Sequence, residues 1–205
     1  MVREFTYGKI ADETEKQQLA QIIEQCFIGS PSDTELYLNA VGVENFRVIR
    51  QAKKVVGGLA LLPMGQWYGG VSVPMTGIAA VGIAPEHRGS GAAIALIQNV
   101  VRELHSSGIP ISVLYPATQR LYRKAGYEQG GSHCGWEIPT QSIQVGEQPL
   151  PAIRVQLENF EWQKLYQQQA KSNNGNLERH QSIWQRLIQS DEKETVYAYL
   201  LGSSD

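Results

Sequence analysis

Cysteine is scarce in this sequence: among 205 residues there are two, Cys26 and Cys134. They lie far apart, without CxxC spacing or a neighbouring histidine cluster, which excludes a disulfide framework and a standard zinc site. No metal is expected, and the pair reads as two partly buried thiols in a reducing compartment. An excess of one charge is missing too. Eighteen Lys+Arg face 20 Asp+Glu, a net charge of -2, so the chain lacks the electrostatic footprint of non-specific nucleic-acid binding. No run approaches the roughly 20 apolar residues that span a bilayer. The opening MVREFTYGKI lacks the apolar stretch of a secretory signal. The expectation is a soluble, cytoplasmic protein with neither membrane nor nucleic acid as partner.

What is present is ordinary globular material, 42% apolar and 19% charged, long enough for one domain or one and a part. Residues 3–9 alternate as a strand can. Asp12 with Glu15 forms a capping-box pattern before Leu19, Ile22, Ile23, Cys26 and Phe27 at helical spacing. Gly29-Ser30-Pro31 reads as a stop, after which Ser32 and Glu35 cap a shorter helix through Val41. Phe46–Arg50 and Val55–Leu62 form a hairpin pattern. Gly69-Gly70 breaks the chain before Val71–Met75 and Ile78–Ile83, the latter apolar on both faces like a central strand. Ala92–His105 is an amphipathic helix, Ile109–Leu114 a strand, Thr118–Lys124 a small helix and Tyr127–Ile138 a strand. The order β-α-α-β-β-β-α-β-α-β predicts an α/β (α+β) domain, a mixed central sheet with helices on both faces.

The most informative stretch is Val81-Gly82-Ile83-Ala84-Pro85-Glu86-His87-Arg88-Gly89-Ser90-Gly91-Ala92-Ala93. A buried strand leads through a tight turn into small residues that open a long helix. Small residues admit a ligand close to the backbone, and a helix N-terminus offers unpaired N–H groups and partial positive charge, a phosphate cradle. Arg88 adds a full charge at its lip. A nucleoside triphosphate loop requires GK[ST], where Ala92-Ala93 stands. A dinucleotide fingerprint needs a third glycine, where Ile94 stands, and an acid that Ile111–Leu114 lacks.

The remaining pattern, R-x-x-G-x-A at Arg88–Ala93 after a V-x-I-x-P strand end, resembles the pyrophosphate-binding motif of the GCN5-related N-acetyltransferase (GNAT) superfamily, which binds acetyl-CoA. The resemblance covers about residues 3–140 and implies a GNAT acyl-CoA N-acyltransferase fold. It implies that the main chains of Val81, Gly82 and Ile83 bond the pantetheine arm, with an amide near Val81 polarising the thioester carbonyl. Arg88, Gly89, Ser90, Gly91, Ala92, Ala93 and Ile94 would wrap the pyrophosphate. Acetyl-CoA would be the co-substrate and an amine, small molecule or peptide, the acceptor. A second signature runs from Leu114-Tyr115-Pro116-Ala117-Thr118 to Leu121-Tyr122 and Gly126-Tyr127. It resembles the family helix whose tyrosine, here Tyr122, protonates the departing thiolate, a task suited to a hydroxyl of pKa about 10. Tyr115-Pro116 replaces the asparagine common in the family, leaving Ala117 and Thr118 as main-chain contacts. Tyr127 is expected in the core.

PEHRGSG, LYPATQRLYRKAGY and a polar linker before further α/β sequence resemble, more narrowly, the enhanced intracellular survival (Eis) type. That resemblance implies two fused GNAT-like domains, acetylation of amines such as aminoglycosides, polyamines or lysine, a possible homo-oligomer, and a general base at a far C-terminus beyond these residues. The expected organisation is 1–140 acetyltransferase domain, 141–152 linker and 153–205 a partial second GNAT-like unit. Helices at 159–170 and 177–189 and a strand at 195–201 would repeat the order of residues 12–50, with the last strand reaching a turn at Ser203-Ser204-Asp205 partnerless. The chain therefore reads as a fragment or truncation of a longer protein. The alternative is a non-catalytic acyl-CoA-binding or interaction module.

Overall fold

In the computed structural model, which describes residues 4–27, 30–144, 146, 150–157, 161–190 and 195–202, strand β1 (Phe5–Lys9) precedes helices α1 (Glu13–Phe27) and α2 (Pro31–Val41). Asp12 Oδ1 accepts the Glu15 N–H at 2.9 Å, and the Glu15 carboxylate accepts the Ala11 N–H at 2.7 Å, closing the start of α1. The second cap lies two residues earlier than expected. Ser30 rather than Ser32 caps α2, and Asp33 rather than Glu35 completes the capping box. Pro31 is the reason: its missing N–H has no partner to lose at the first helical position, so it starts a helix instead of stopping one. Gly29 lies outside the described residues.

Strands β2 (Phe46–Gln51), β3 (Lys54–Tyr68) and β4 (Val71–Ile83) follow as two antiparallel hairpins. Gly69 and Gly70, at φ 55° and 78°, make the turn of the second, where glycine pays no steric penalty. β3 continues past the expected end at Leu62. Pro63 is tolerated because Phe46, the first residue of β2, lies opposite Ala60, so the proline lies where β3 has lost that neighbour. Helix α3 (Ala92–Ser106), strand β5 (Ile111–Leu114) and helix α4 (Gln119–Lys124) complete the unit. The sheet order is β1-β2-β3-β4-β5, antiparallel except for the parallel pair β4–β5.

Helices cover both faces, as expected. Leu19, Ile22 and Ile23 of α1 and Leu38 of α2 pack with Phe46, Val48, Val55 and Ala60 on one side. Leu96, Ile97 and Val100 of α3 pack with Ile49, Val56, Leu59 and Ile83 on the other. Each buried aliphatic side chain contributes about 1.5–3 kcal/mol, so these contacts hold α3 against the sheet. A polar clamp fixes its far end. Arg47, 8% exposed on β2, donates from Nε to both Glu103 oxygens at 2.9 Å and from Nη1 to the Glu44 and Phe46 carbonyls. Tyr7 of β1 donates to the same carboxylate at 2.5 Å. Burial pushes the Glu103 carboxyl up, but the Arg47 and Tyr7 hydrogen bonds outweigh it and hold the group below its ordinary value.

The expected strand over Tyr127–Ile138 is not formed; residues 127–139 carry no regular structure. Gly130, Gly131 and Gly135 weaken strand propensity. Trp136 is 86% exposed, so little burial offsets the entropy of ordering. Beyond it lie β6 (Ala152–Val155), α5 (Trp162–Lys171), β7 (Leu177–Glu178), α6 (Gln181–Ile188) and β8 (Ala198–Leu201). The helix expected at 159–170 begins at Trp162, residues 159–160 being outside the described set. That at 177–189 is shortened because Leu177 and Glu178 instead pair with Gln66 and Gly65 of β3, and His180 Nδ1 then caps α6 by accepting the Ser182 N–H. β8 is not partnerless: it pairs antiparallel with β6. The turn expected at residues 203–205 lies outside the described residues. Among the described residues no helix is long and apolar enough to cross a membrane.

Candidate functional site

The site begins at an irregularity in β4. Gly58 faces Gly82, but Ala60 faces Ala79, so β4 carries one residue more than β3 there. Ala80 takes φ 50°, left-handed for a residue with a side chain, and the extra residue is a β-bulge. Its consequence is a phase change. Ile78 and Ile83, an odd number of residues apart, both enter the cluster under α3, which an unbroken alternation forbids. The pairing of β4 with β5 ends at Ile78 opposite Leu114. Val81, Gly82 and Ile83 therefore run on with no strand partner on that side among the described residues.

After Ile83 the chain makes a short 3-10 turn over Pro85–His87 and reaches Arg88. Gly89 has φ 73° and Gly91 φ 93°, and Gly91 is the N-cap of α3. A side chain at either would meet nothing within 4 Å, so glycine is required by backbone conformation and not by space. No side chain caps α3. Its first helical bond runs from the Ala95 N–H to the Gly91 carbonyl at 3.1 Å. The Ala92 N–H lies 3.3 Å from Ser90 Oγ, while the Ala93 and Ile94 N–H groups precede any intrahelical acceptor. Donors without an intrahelical partner at the positive end of a 15-residue helix make an anion cradle. Arg88 is exposed and folds back, its Nε 3.4 Å from the Ile83 carbonyl and its Nη2 3.6 Å from Cys26 Sγ.

Tyr122 is placed by the way α4 ends. The Tyr127 N–H bonds the Tyr122 carbonyl at 3.0 Å and the Gly126 N–H bonds the Arg123 carbonyl at 3.1 Å, with Gly126 at φ 96°. This is a Schellman ending, whose usual apolar contact joins the two outer residues. Here it is the edge-to-face pair of the Tyr122 and Tyr127 rings, 6.2 Å between centroids. The Tyr127 hydroxyl is tied to Ser112 Oγ at 2.5 Å. Tyr122 is 7% exposed, and its hydroxyl has no hydrogen-bond partner among the described residues. Burial, with a smaller contribution from Tyr127, pushes that hydroxyl above its ordinary pKa, so it is protonated throughout the neutral range.

The residues expected to act together are only partly joined. Ile83, Ala92 and Tyr122 share one cluster with Val81 and Ala93 packed against it. Arg88, Gly89 and Gly91 sit exposed at its rim, and Ala117 and Thr118 are exposed just before α4. Ala80 was not foreseen, although its signal is in the sequence: the odd spacing of Ile78 and Ile83 in one buried strand. The contact of Cys26 with Arg88 had no sequence signal. A depression of about 370 Å³ lined by Leu157, Trp162, Trp184 and Ile188 shares no residue with the glycine loop.

A family model described as an acetyltransferase (GNAT) domain matches residues 9–130. A GCN5-related N-acetyltransferase from Anabaena variabilis is 59% identical, with a TM-score of 0.92 over 98% of this chain and 52% of that one. Eis1 from Mycobacterium abscessus, 16% identical, superposes with a TM-score of 0.69 over the same shares, which speaks to fold. An uncharacterized N-acetyltransferase from Streptomyces avermitilis is 26% identical over 145 residues, 70% of this chain and 31% of its own length. The chain thus spans about a third to a half of these relatives.

Proposed function

The chain belongs to the GNAT acetyltransferase family, and we propose that it transfers an acetyl group from acetyl-CoA to a primary amine by direct attack. The observation that carries this reading is the succession of the β4 stretch at Val81–Ile83, which β5 leaves open on one side while β3 pairs with it on the other, and the left-handed glycines and unpaired amides opening α3. One is an edge that an extended amide-bearing arm can join. The other is a cradle for a diphosphate, so the residues present fit acyl-CoA. Acetyl-CoA supplies an activated thioester.

In this reading the main-chain groups of Val81, Gly82 and Ile83 orient the pantetheine arm, and an amide near Val81 polarises the carbonyl. The amides of Gly89 to Ile94 hold the pyrophosphate, with Ala117 and Thr118 as further main-chain contacts. Arg88 leaves its hold on the Ile83 carbonyl and Cys26 to face the phosphates. Tyr122, kept protonated by its burial, donates to the departing thiolate. The acceptor class is aminoglycoside, polyamine or lysine-like. Residues 153–205 form the start of a second GNAT-like unit joined through a linker at 141–152, the arrangement of the Eis type, whose fold this chain shares with the Mycobacterium abscessus structure. A cytoplasmic location and assembly into homo-oligomers belong to the same proposal.

The test is release of free CoA thiol from acetyl-CoA with a panel of aminoglycosides, polyamines and lysine peptides. Tyr122→Phe should lower turnover by roughly 10²–10⁴-fold, the range of a general acid, with acetyl-CoA affinity unchanged. Stabilisation by acetyl-CoA without thiol release for any amine would instead identify a binding module.

A further inference from the structure

The hydrogen-bond phase of β4 decides which of its main-chain groups face the side that β5 leaves open. The Ala84 N–H bonds the Val56 carbonyl at 2.9 Å, which makes Val56 and Ala84 a hydrogen-bonded pair of the antiparallel ladder. Gly57 and Ile83, next along, are then a non-hydrogen-bonded pair. The Ile83 N–H and carbonyl therefore point away from β3, toward the side from which β5 is gone after Ile78. That carbonyl is engaged by side chains. Arg88 donates to it from Nε at 3.4 Å and the Cys26 thiol donates at 3.6 Å, which takes both lone pairs of the oxygen. Arg88 Nη2 lies 3.6 Å from Cys26 Sγ, so guanidinium, thiol and carbonyl close a triangle.

Neighbouring residues keep the guanidinium there. A Cβ on Gly82 would stand 3.3 Å from both Cys26 Sγ and Ile22 Cγ2, so the glycine lets α1 bring its thiol against β4. The adjacent carboxylate, Glu86, pairs with Lys54 at 3.4 Å instead of with Arg88. The Arg88 contacts are long for hydrogen bonds, hence weak. A diphosphate offers the same guanidinium shorter, charge-assisted bonds, and Arg88 immediately precedes the glycine loop that leads to the unpaired amides of α3. A neutral arm offers it nothing comparable, yet needs the carbonyl that it covers.

We propose that Arg88 is a specificity-determining latch: it lies across the Ile83 carbonyl and yields it to an arm amide when a diphosphate draws the guanidinium away. A donor that carries the diphosphate opens the β4 edge with its own phosphates. A pantetheine thioester without phosphate meets the edge closed. The two halves of the donor are thereby coupled, because the phosphates favour the arrangement that the arm also requires. The inference rests on the acyl-CoA reading and gives Arg88 a second task, the exclusion of donors that lack the diphosphate.

The test measures Kd of the full chain for acetyl-CoA and for S-acetylpantetheine, which has no phosphate, by calorimetry and ligand-observed NMR titration. Arg88→Ala should move the two in opposite directions. Acetyl-CoA weakens by about 10- to 100-fold, the loss of a charged hydrogen-bonding partner, while S-acetylpantetheine tightens by roughly 2- to 10-fold, the range of one net hydrogen bond. Cys26→Ala removes the anchor of Nη2 and one of the two donors to the Ile83 carbonyl without touching the phosphate contacts. It should tighten S-acetylpantetheine in the same sense and leave acetyl-CoA no weaker. An arginine that only holds phosphate would leave S-acetylpantetheine unmoved by either change. S-acetylpantetheine binding that is unimproved, weakened or undetectable in both variants, while the wild type binds acetyl-CoA, overturns the latch and leaves the acyl-CoA reading standing. A wild-type chain that binds neither compound overturns both.

Discussion

Replacing Gly91 with alanine isolates the backbone of the glycine loop from every other variable. Gly91 has φ 93° and ψ -3°, and its added Cβ would meet nothing within 4 Å. The substitution is therefore a conformational perturbation without a clash. Holding an alanine in the left-handed region costs about 1–2 kcal/mol. That cost appears in one of two places. If the loop keeps its shape, stability falls by the whole amount, lowering Tm by roughly 2–8 °C at 2–4 °C per kcal/mol for a chain of this size. If the free loop relaxes, stability is spared and ligand binding restores the strain, weakening acetyl-CoA by about 5- to 30-fold. Thermal unfolding and calorimetric titration of the same variant should give losses that sum to about 1–2 kcal/mol. Gly131→Ala, at an exposed position without left-handed φ, serves as the control and should change neither. A Gly91→Ala protein with unaltered Tm and unaltered acetyl-CoA affinity would refute the requirement for a left-handed residue at the helix start.

Other perturbations follow from the packing and the charges. Gly57→Ala should destabilise by about 1–3 kcal/mol or more in denaturant unfolding, because its Cβ would stand 2.3 Å from Ile83 Cδ1 and 2.7 Å from the Gly82 carbonyl. Glu103→Gln, which unpairs buried Arg47, should cost roughly 2–4 kcal/mol, below the fully buried range because the Glu103 side chain keeps 29% exposure. The Glu103 carboxyl titrates below its ordinary 4.5 in the fold. Its contribution is therefore present above that pH and lost as pH falls through the folded value. Acid unfolding of the wild type should steepen below about pH 4.5, and Glu103→Gln should flatten it. An unchanged acid profile would remove Glu103 from that role.

The fold was largely legible because its signals are local and redundant. Leu19, Ile22 and Ile23 repeat at helical spacing, and Ile78–Ile83 is apolar on both faces, so α1 and the central strand could be placed without long-range information. Cap position turned on finer chemistry: Ser30 and Ser32 are both competent, and Pro31 decides between them. The failures share a cause. Tyr127–Ile138 has the residue types of a strand, yet a strand exists only with a neighbour to bond and a face to bury, and neither property is written in its own residues. For β8 the error ran the other way, since its partner β6 lies about 45 residues earlier, beyond any local pattern. At the site, the glycine loop was readable from residue type because left-handed φ and the unpaired amides of a helix start are properties of the backbone itself. The bulge at Ala80 and the contact of Cys26 with Arg88 depend on register and packing across the sheet.

The most direct measurement is amide hydrogen exchange of the full chain with and without saturating acetyl-CoA, resolved to short peptides. Slowed exchange concentrated at Val81–Ile83 and Gly89–Ile94 is the predicted result, with residues 152–201 unaffected. Unchanged exchange in both segments, or protection confined to the C-terminal residues, would contradict acyl-CoA binding at the β4 edge and the α3 N-terminus.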